Sequence, residues 1–200
     1  MNNINREEIL LVVALEEESN GKFEKNKLPI IYTGVGKINA TYCLTKAIYE
    51  RKLQNKKTKL VINLGSVGSK TINKREVVLC DGFIQRDMDS TAFGYELGKT
   101  AAEMHIPLII KHKKFLKGVN YGICGTGDNF ETGIPKVKCD VVDMEAYALA
   151  KVCMFEKIDF VSIKYVTDGA DEGAAEDWDK EVKSAGEKLN EYLNKLLTSL

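Results

Sequence analysis

Residues 139–150, "CDVVDMEAYALA", put two carboxylates, Asp143 and Glu145, inside an otherwise apolar run. The flanks read as a buried strand passing directly into a helix. A carboxylate in such a place loses hydration unless something hydrogen-bonds to it or neutralises it. That junction sets two questions: what fold supplies it, and what Glu145 is there to meet.

Working outward, apolar runs of strand length recur at 9–14 ("ILLVVA"), 28–33 ("LPIIYT"), 59–65 ("KLVINLG"), 76–84 ("EVVLCDGFI"), 119–125 ("VNYGICG") and 159–167 ("DFVSIKYVT"). Most are β-branched and several are apolar on both faces, as in a sheet covered on both sides by helices. Helical patterns lie between them. Residues 36–53 set Ile38, Tyr42, Leu44 or Thr45, and Ile48 or Tyr49 on one face. Residues 144–157 read likewise, and 178–197 turn Val182, Leu189, Tyr192 and Leu196 inward. Alternating strand and helix predicts an α/β fold, a three-layer α/β/α sandwich, with residues 1–200 as a single domain.

Charge narrows the function. Lys plus Arg number 29 and Asp plus Glu 29. A formally neutral chain lacks the basic excess that a broad nucleic-acid footprint or an anionic membrane surface requires. No apolar segment approaches the ~20 residues that span a bilayer. The acids flanking the first apolar run do not suit a secretory signal. Five cysteines without a CxxC pair fit a reducing compartment, so a cytoplasmic protein is expected. His105 and His112 have no Cys or paired carboxylates nearby, and neither a metal nor a cofactor is expected.

Ligands in open α/β sheets gather where strands end. Acids stand at three such points: Glu16 to Glu18 after the first strand, Glu145 at the strand-to-helix junction, and Asp168 in "YVTDGAD". Each has a plainer reading, as a solvated first turn, a helix cap and an Asx turn respectively. "TGVGKINA" (33–40) is neither a dinucleotide fingerprint, since the third glycine is missing, nor a P-loop, since Ile38 follows Gly36 and Lys37. A close backbone approach to a small ligand, or tight helix–sheet packing, remains for it.

In order, "ALEEE" (14–18), "TGVGK" (33–37), "INLGSVGS" (62–69), "DSTAFGYELG" (89–98), "GTGDNF" (125–130), "VVDMEAYALAK" (141–151) and "TDGAD" (167–171) resemble the purine nucleoside phosphorylase and nucleosidase superfamily. The match is to its hydrolytic branch, the 5′-methylthioadenosine/S-adenosylhomocysteine nucleosidases. The resemblance implies a central mixed sheet and hydrolysis of the N-glycosidic bond of an adenine nucleoside. It implies Glu18 as the group that activates water and Asp168 as the acid that protonates the departing base. Glu145 would receive two ribose hydroxyls, Met144 would pack on the sugar, and Ser66 would approach ribose and water. Phe130 would stack on the purine, with residues 123–127 as nearby walls. Leu15 and Trp178 would line the pocket for the 5′ substituent. Phe93 and Tyr95 would reach the neighbouring subunit's pocket, which implies a homodimer.

Two alternatives stand beside this reading: a phosphate-dependent purine nucleoside phosphorylase, and a non-catalytic nucleoside-binding protein of the same fold. A phosphorylase must hold phosphate with arginine forks and backbone N–H groups. This chain has Asn63 where hexameric bacterial phosphorylases place an arginine, and Arg86 is the remaining candidate, either paired with Asp87 or Asp89 or touching an anion. A mere binder has no need of both an acid and a base.

Overall fold

The computed structural model describes residues 4–171 and 173–200. Eight strands form one mixed sheet: β1 (Ile9–Val13), β2 (Ile30–Tyr32), β3 (Leu60–Gly68), β4 (Val77–Gln85), β5 (Ile110–Lys111), β6 (Tyr121–Thr126), β7 (Val141–Asp143) and β8 (Asp159–Asp168). The helices are α1 (Glu16–Ser19), α2 (Lys37–Leu53), α3 (Ala146–Glu156) and α4 (Ala174–Ser199).

β1 runs parallel to β2 and β3, and β3 parallel to β8. β4, β6 and β7 are parallel to one another but oppose that set, with β4 antiparallel to β8 and β7 antiparallel to β3. The sheet therefore curls so that β3, β8, β4, β6 and β7 close on themselves. The C-terminal ends of β3 and β7 meet at the Gly68–Val142 pair, beside a register shift between Val67 and Gly68. Polar residues that follow several different strands are thus delivered to one place.

Two apolar clusters cover the sheet. On one face Ala40, Leu44 and Ile48 of α2 and Leu149 and Cys153 of α3 pack on Leu10, Val61 and Phe160. On the other, Ala185, Leu189, Leu193 and Leu196 of α4 meet Leu11, Ile62 and Ile163. The layered α/β fold with a mixed sheet stands as the sequence implies.

Two packing expectations change. The inward stripe of α2 is Ala40, Leu44 and Ile48, whereas Ile38, Tyr42 and Tyr49 point to solvent with Leu53. That helix carries two apolar stripes, and apolar periodicity does not say which one the sheet covers. The charged stretch 16–27, whose polarity reads as a loop or short helix at the surface, is not wholly superficial either: Glu18, Ser19 and Phe23 within it are buried. Among the described residues no helix is long and apolar enough to cross a membrane.

Candidate active site

A cleft of about 310 Å³ opens where the strand ends converge. Ala14, Leu15 and Glu18 border it after β1, Ser66 to Gly68 at the end of β3, Val142 to Glu145 at the end of β7, and Thr167 and Asp168 at the end of β8. Its volume falls in the usual range for small-molecule sites.

Glu18 is buried, while Glu16 and Glu17 are exposed. It stands at the third position of α1 and reaches back to the N–H of Leu15 (3.3 Å), the carboxylate half of a capping box. Its Oε1 accepts both the backbone N–H and the hydroxyl of Ser66, each at 2.7 Å. The Ser66 hydroxyl in turn accepts the indole N–H of Trp178 at 2.9 Å. Trp178 is thus more than an apolar wall, since it fixes the serine that orients Glu18. Gly65 leaves the space: a Cβ there would stand 3.2 Å from Glu18 Oε1 and 3.3 Å from Lys164 Nζ.

Glu145 occupies the cap position of α3 but does not cap it. Asp143 does, accepting the Ala146 N–H at 3.0 Å while Thr126 donates its hydroxyl at 2.6 Å. Glu145 instead accepts the Gly36 N–H at 2.9 Å, which explains the glycines of "TGVGK". Gly36 has φ +97, a conformation that side chains resist, and it brings backbone up to the carboxylate. Burial first, and the neighbouring Asp143 carboxylate second, push Glu145 up to about 8. The Lys164 ammonium and the Gly36 N–H oppose that rise.

Lys164 was not legible as a site residue. It lies fully buried in β8 and pairs with Asp143 at 2.9 Å. Burial opposes charge on both partners, yet each outweighs it for the other: Lys164 is raised and Asp143 lowered from their usual values. The available signal was one lysine interrupting an apolar strand, "DFVSIKYVT".

Asp168 is buried, and burial raises its carboxyl above the ordinary range. The Ala170 N–H on Oδ1 (2.9 Å) and the Thr167 hydroxyl on Oδ2 (2.8 Å) partly counter this. The Asx turn weighed from sequence is therefore present, and it aims the acid at the cleft.

Met144, Phe130, Leu15, Ser66 and Trp178 all line the same cleft. Residues 123–127 do not; beside Phe130 the wall comes from Asn129, Glu131 and Arg86. Arg86 pairs with Glu131 at 2.8 Å, in place of Asp87 or Asp89. Asn63 is a structural stitch, donating to the Val12 carbonyl (3.1 Å) and accepting from Ser162 (2.8 Å). Phe93 and Tyr95 stand outside the cleft of their own chain, Phe93 with 80% of its surface exposed. His112 is partly buried and packs against Phe83 and Phe160.

A family model described as the phosphorylase superfamily matches residues 14–200. The 5′-methylthioadenosine/S-adenosylhomocysteine nucleosidase of Haemophilus influenzae (strain PittEE) is 32% identical over 170 residues, covering 76% of this chain and 72% of that protein. The nucleosidase of the same name from Haemophilus ducreyi is 28% identical over 199 residues, covering 90% and 83%. Among solved structures, a Helicobacter pylori MTAN variant with 5′-methylthioadenosine in its active site superposes with a TM-score of 0.85 at 18% identity, covering 98% of this chain and 100% of that one. The fold, the ordered motifs and these matches agree, and the chain belongs to the phosphorylase superfamily, in the family of the 5′-methylthioadenosine/S-adenosylhomocysteine nucleosidases.

Proposed function

We propose that residues 1–200 form one nucleosidase domain that hydrolyses the C1′–N9 bond of an adenine nucleoside such as 5′-methylthioadenosine or S-adenosylhomocysteine. The observation that carries this reading is the convergence of three buried acids, Glu18, Glu145 and Asp168, on one cleft. Asp168, raised by burial, delivers a proton toward N7 so that adenine leaves neutral. As C1′–N9 lengthens, the sugar becomes oxocarbenium-like. Glu18, steadied by Ser66, takes a proton from the water whose oxygen bonds to C1′. Two carboxyl groups flanking a glycosidic bond with room for water are the arrangement of inverting glycosidases. Glu145 accepts ribose hydroxyls, Met144 packs on the sugar, Phe130 stacks on the base, and Leu15 and Trp178 border the 5′ substituent.

Water is favoured over phosphate because Arg86 is spent on Glu131 and Asn129 and the cleft is acid-lined. The chain acts as a cytoplasmic homodimer serving methionine salvage, in which Phe93 and Tyr95 complete the neighbouring site. The exposed Ile38, Tyr42, Tyr49 and Leu53 on α2 support an interface, as contiguous exposed apolar side chains do.

The test is release of base from a panel of adenine nucleosides with and without phosphate. Asp168→Asn and Glu18→Gln should each lose about 10²–10⁴-fold in kcat while nucleoside still binds. Near-normal turnover in either variant removes that residue from the mechanism. Phosphate-stimulated formation of a ribose 1-phosphate would make the enzyme a phosphorylase.

A further inference from the structure

Arg86 follows β4 and is buried against the cleft wall. Its Nη1 donates to Asn129 Oδ1 (3.0 Å) and Glu131 Oε2 (2.8 Å), and its Nη2 to the Asn129 carbonyl (2.5 Å). The adjacent Asp87 accepts the Asp128 N–H at 2.8 Å and is itself held by Lys37 at 2.5 Å. Residues 86 and 87 thereby grip Asp128, Asn129 and Glu131, the residues on both sides of Phe130. The Phe130 ring lines the cleft with nearly half its surface open.

Gly127 makes this clamp possible, for a reason unrelated to turn geometry. A Cβ there would stand 2.9 Å from Arg86 Cζ and 3.0 Å from Nη1, so the guanidinium rests where any other residue would put its side chain. A planar fork is suited to gripping a carboxylate, an amide and a carbonyl at once, which a lysine ammonium does less well. The Arg86 Nε is buried with no hydrogen-bond partner among the described residues, a cost that apolar packing of the same loop would avoid.

We propose that Arg86 is a positioning residue for nucleobase recognition: by holding Asn129 and Glu131 it presets the Phe130 ring to stack on the purine. This rests on the nucleosidase reading, since it takes the base to lie against Phe130. No atom of Arg86 need touch substrate. Its effect belongs to binding, because the loop's order is already present before the base arrives.

The experiment compares Arg86→Gln, Arg86→Lys, Glu131→Gln, Phe130→Ala and the double variant Arg86→Gln/Phe130→Ala. It uses steady-state kinetics on methylthioadenosine and calorimetry with free adenine. Arg86→Gln and Phe130→Ala should each raise KM and adenine Kd about tenfold, the scale of one base–aromatic stack, with kcat changed by less than about threefold. The double variant should be no worse than Phe130→Ala alone, because both changes remove the same stack. Arg86→Lys should fall between wild type and Arg86→Gln, and Glu131→Gln should give a smaller rise in KM.

Additive losses in the double variant, or a fall in kcat at unchanged KM, overturn the proposal. Hydrogen exchange supplies a readout independent of turnover. Amides of 128–131 should exchange faster in Arg86→Gln while strand amides keep their protection, and unchanged exchange in the loop overturns the clamp. A wild-type protein that releases no base from any adenine nucleoside removes the nucleosidase reading, whereas the exchange result still decides what Arg86 holds.

Discussion

Glu145 shows what a single residue inherits from its surroundings. With a carboxyl pushed up to about 8, it carries a proton at pH 7 before a nucleoside binds. Two ribose hydroxyls need an acceptor-only carboxylate, since a protonated acid has one oxygen engaged in donating. Binding an adenine ribonucleoside at pH 7 should therefore release close to one proton. Calorimetry in buffers of different ionisation enthalpy measures this directly, and binding that releases no proton sinks the idea. The same shift has a stability consequence. A carboxyl raised on folding stabilises the protein below its unfolded value of 4.5 and loses that contribution as pH rises through about 8. Over that window the free protein should lose stability at a slope of up to about 1.4 kcal/mol per pH unit, which Glu145→Gln should flatten. The importance of Glu145 was legible, because an acid in an apolar run needs a partner. Its protonation state was not, since it depends on burial and then on Asp143 and Lys164, and Lys164 arrives from a strand about twenty residues further along.

Strands and helices were legible where apolar runs were long, and illegible where their fate depended on a neighbour. The two-residue β5 exists because β4 has a free edge there, pairing Gly82 with Lys111 and Phe83 with Ile110. α2 exposes an apolar stripe because the sheet needs only Ala40, Leu44 and Ile48. The convergence of β3, β7 and β8 is likewise a property of pairing, and Gly68 is its pivot. A Cβ on Gly68 would stand 2.5 Å from Asp168 Oδ1, 3.1 Å from Ala170 Cβ and 3.3 Å from Val142 Cγ2. Asp168 has little room to yield, because Ala170 and Thr167 hold its two oxygens. Gly68→Ala should thus displace the acid, with kcat falling about 10²-fold, as misplacements near 1 Å do. Overpacking should also cost about 1–3 kcal/mol of stability. Turnover and thermal melting of the variant test both; a melting loss with kcat intact would mean that Asp168 does not act from the position β3 and β8 give it.

At the scale of the whole molecule, the cleft and the surface make different demands on oligomeric state. Glu18, Glu145 and Asp168 all come from one chain, so the chemical groups are complete within a protomer. Phe93, by contrast, exposes 80% of its surface and Ile38 82%, side chains that the proposed homodimer would cover. If the proposed homodimer lends Phe93 to the neighbouring pocket, a defect in Phe93 and a defect in Asp168 strike opposite sites. Asp168→Asn inactivates the site of its own chain, whereas Phe93→Ala weakens the site of its partner. In a mixed dimer both defects fall on one site and the other is wild type. Dissociating the two purified variants together and letting them reassociate at random makes half the dimers mixed, each with one intact site. Activity should then reach at least about a quarter of wild type, above the average of the two variants, as two-fold symmetry requires. Mixed activity no higher than the average of the parents, in a preparation shown by mass spectrometry to contain mixed dimers, would confine each active site to its own chain.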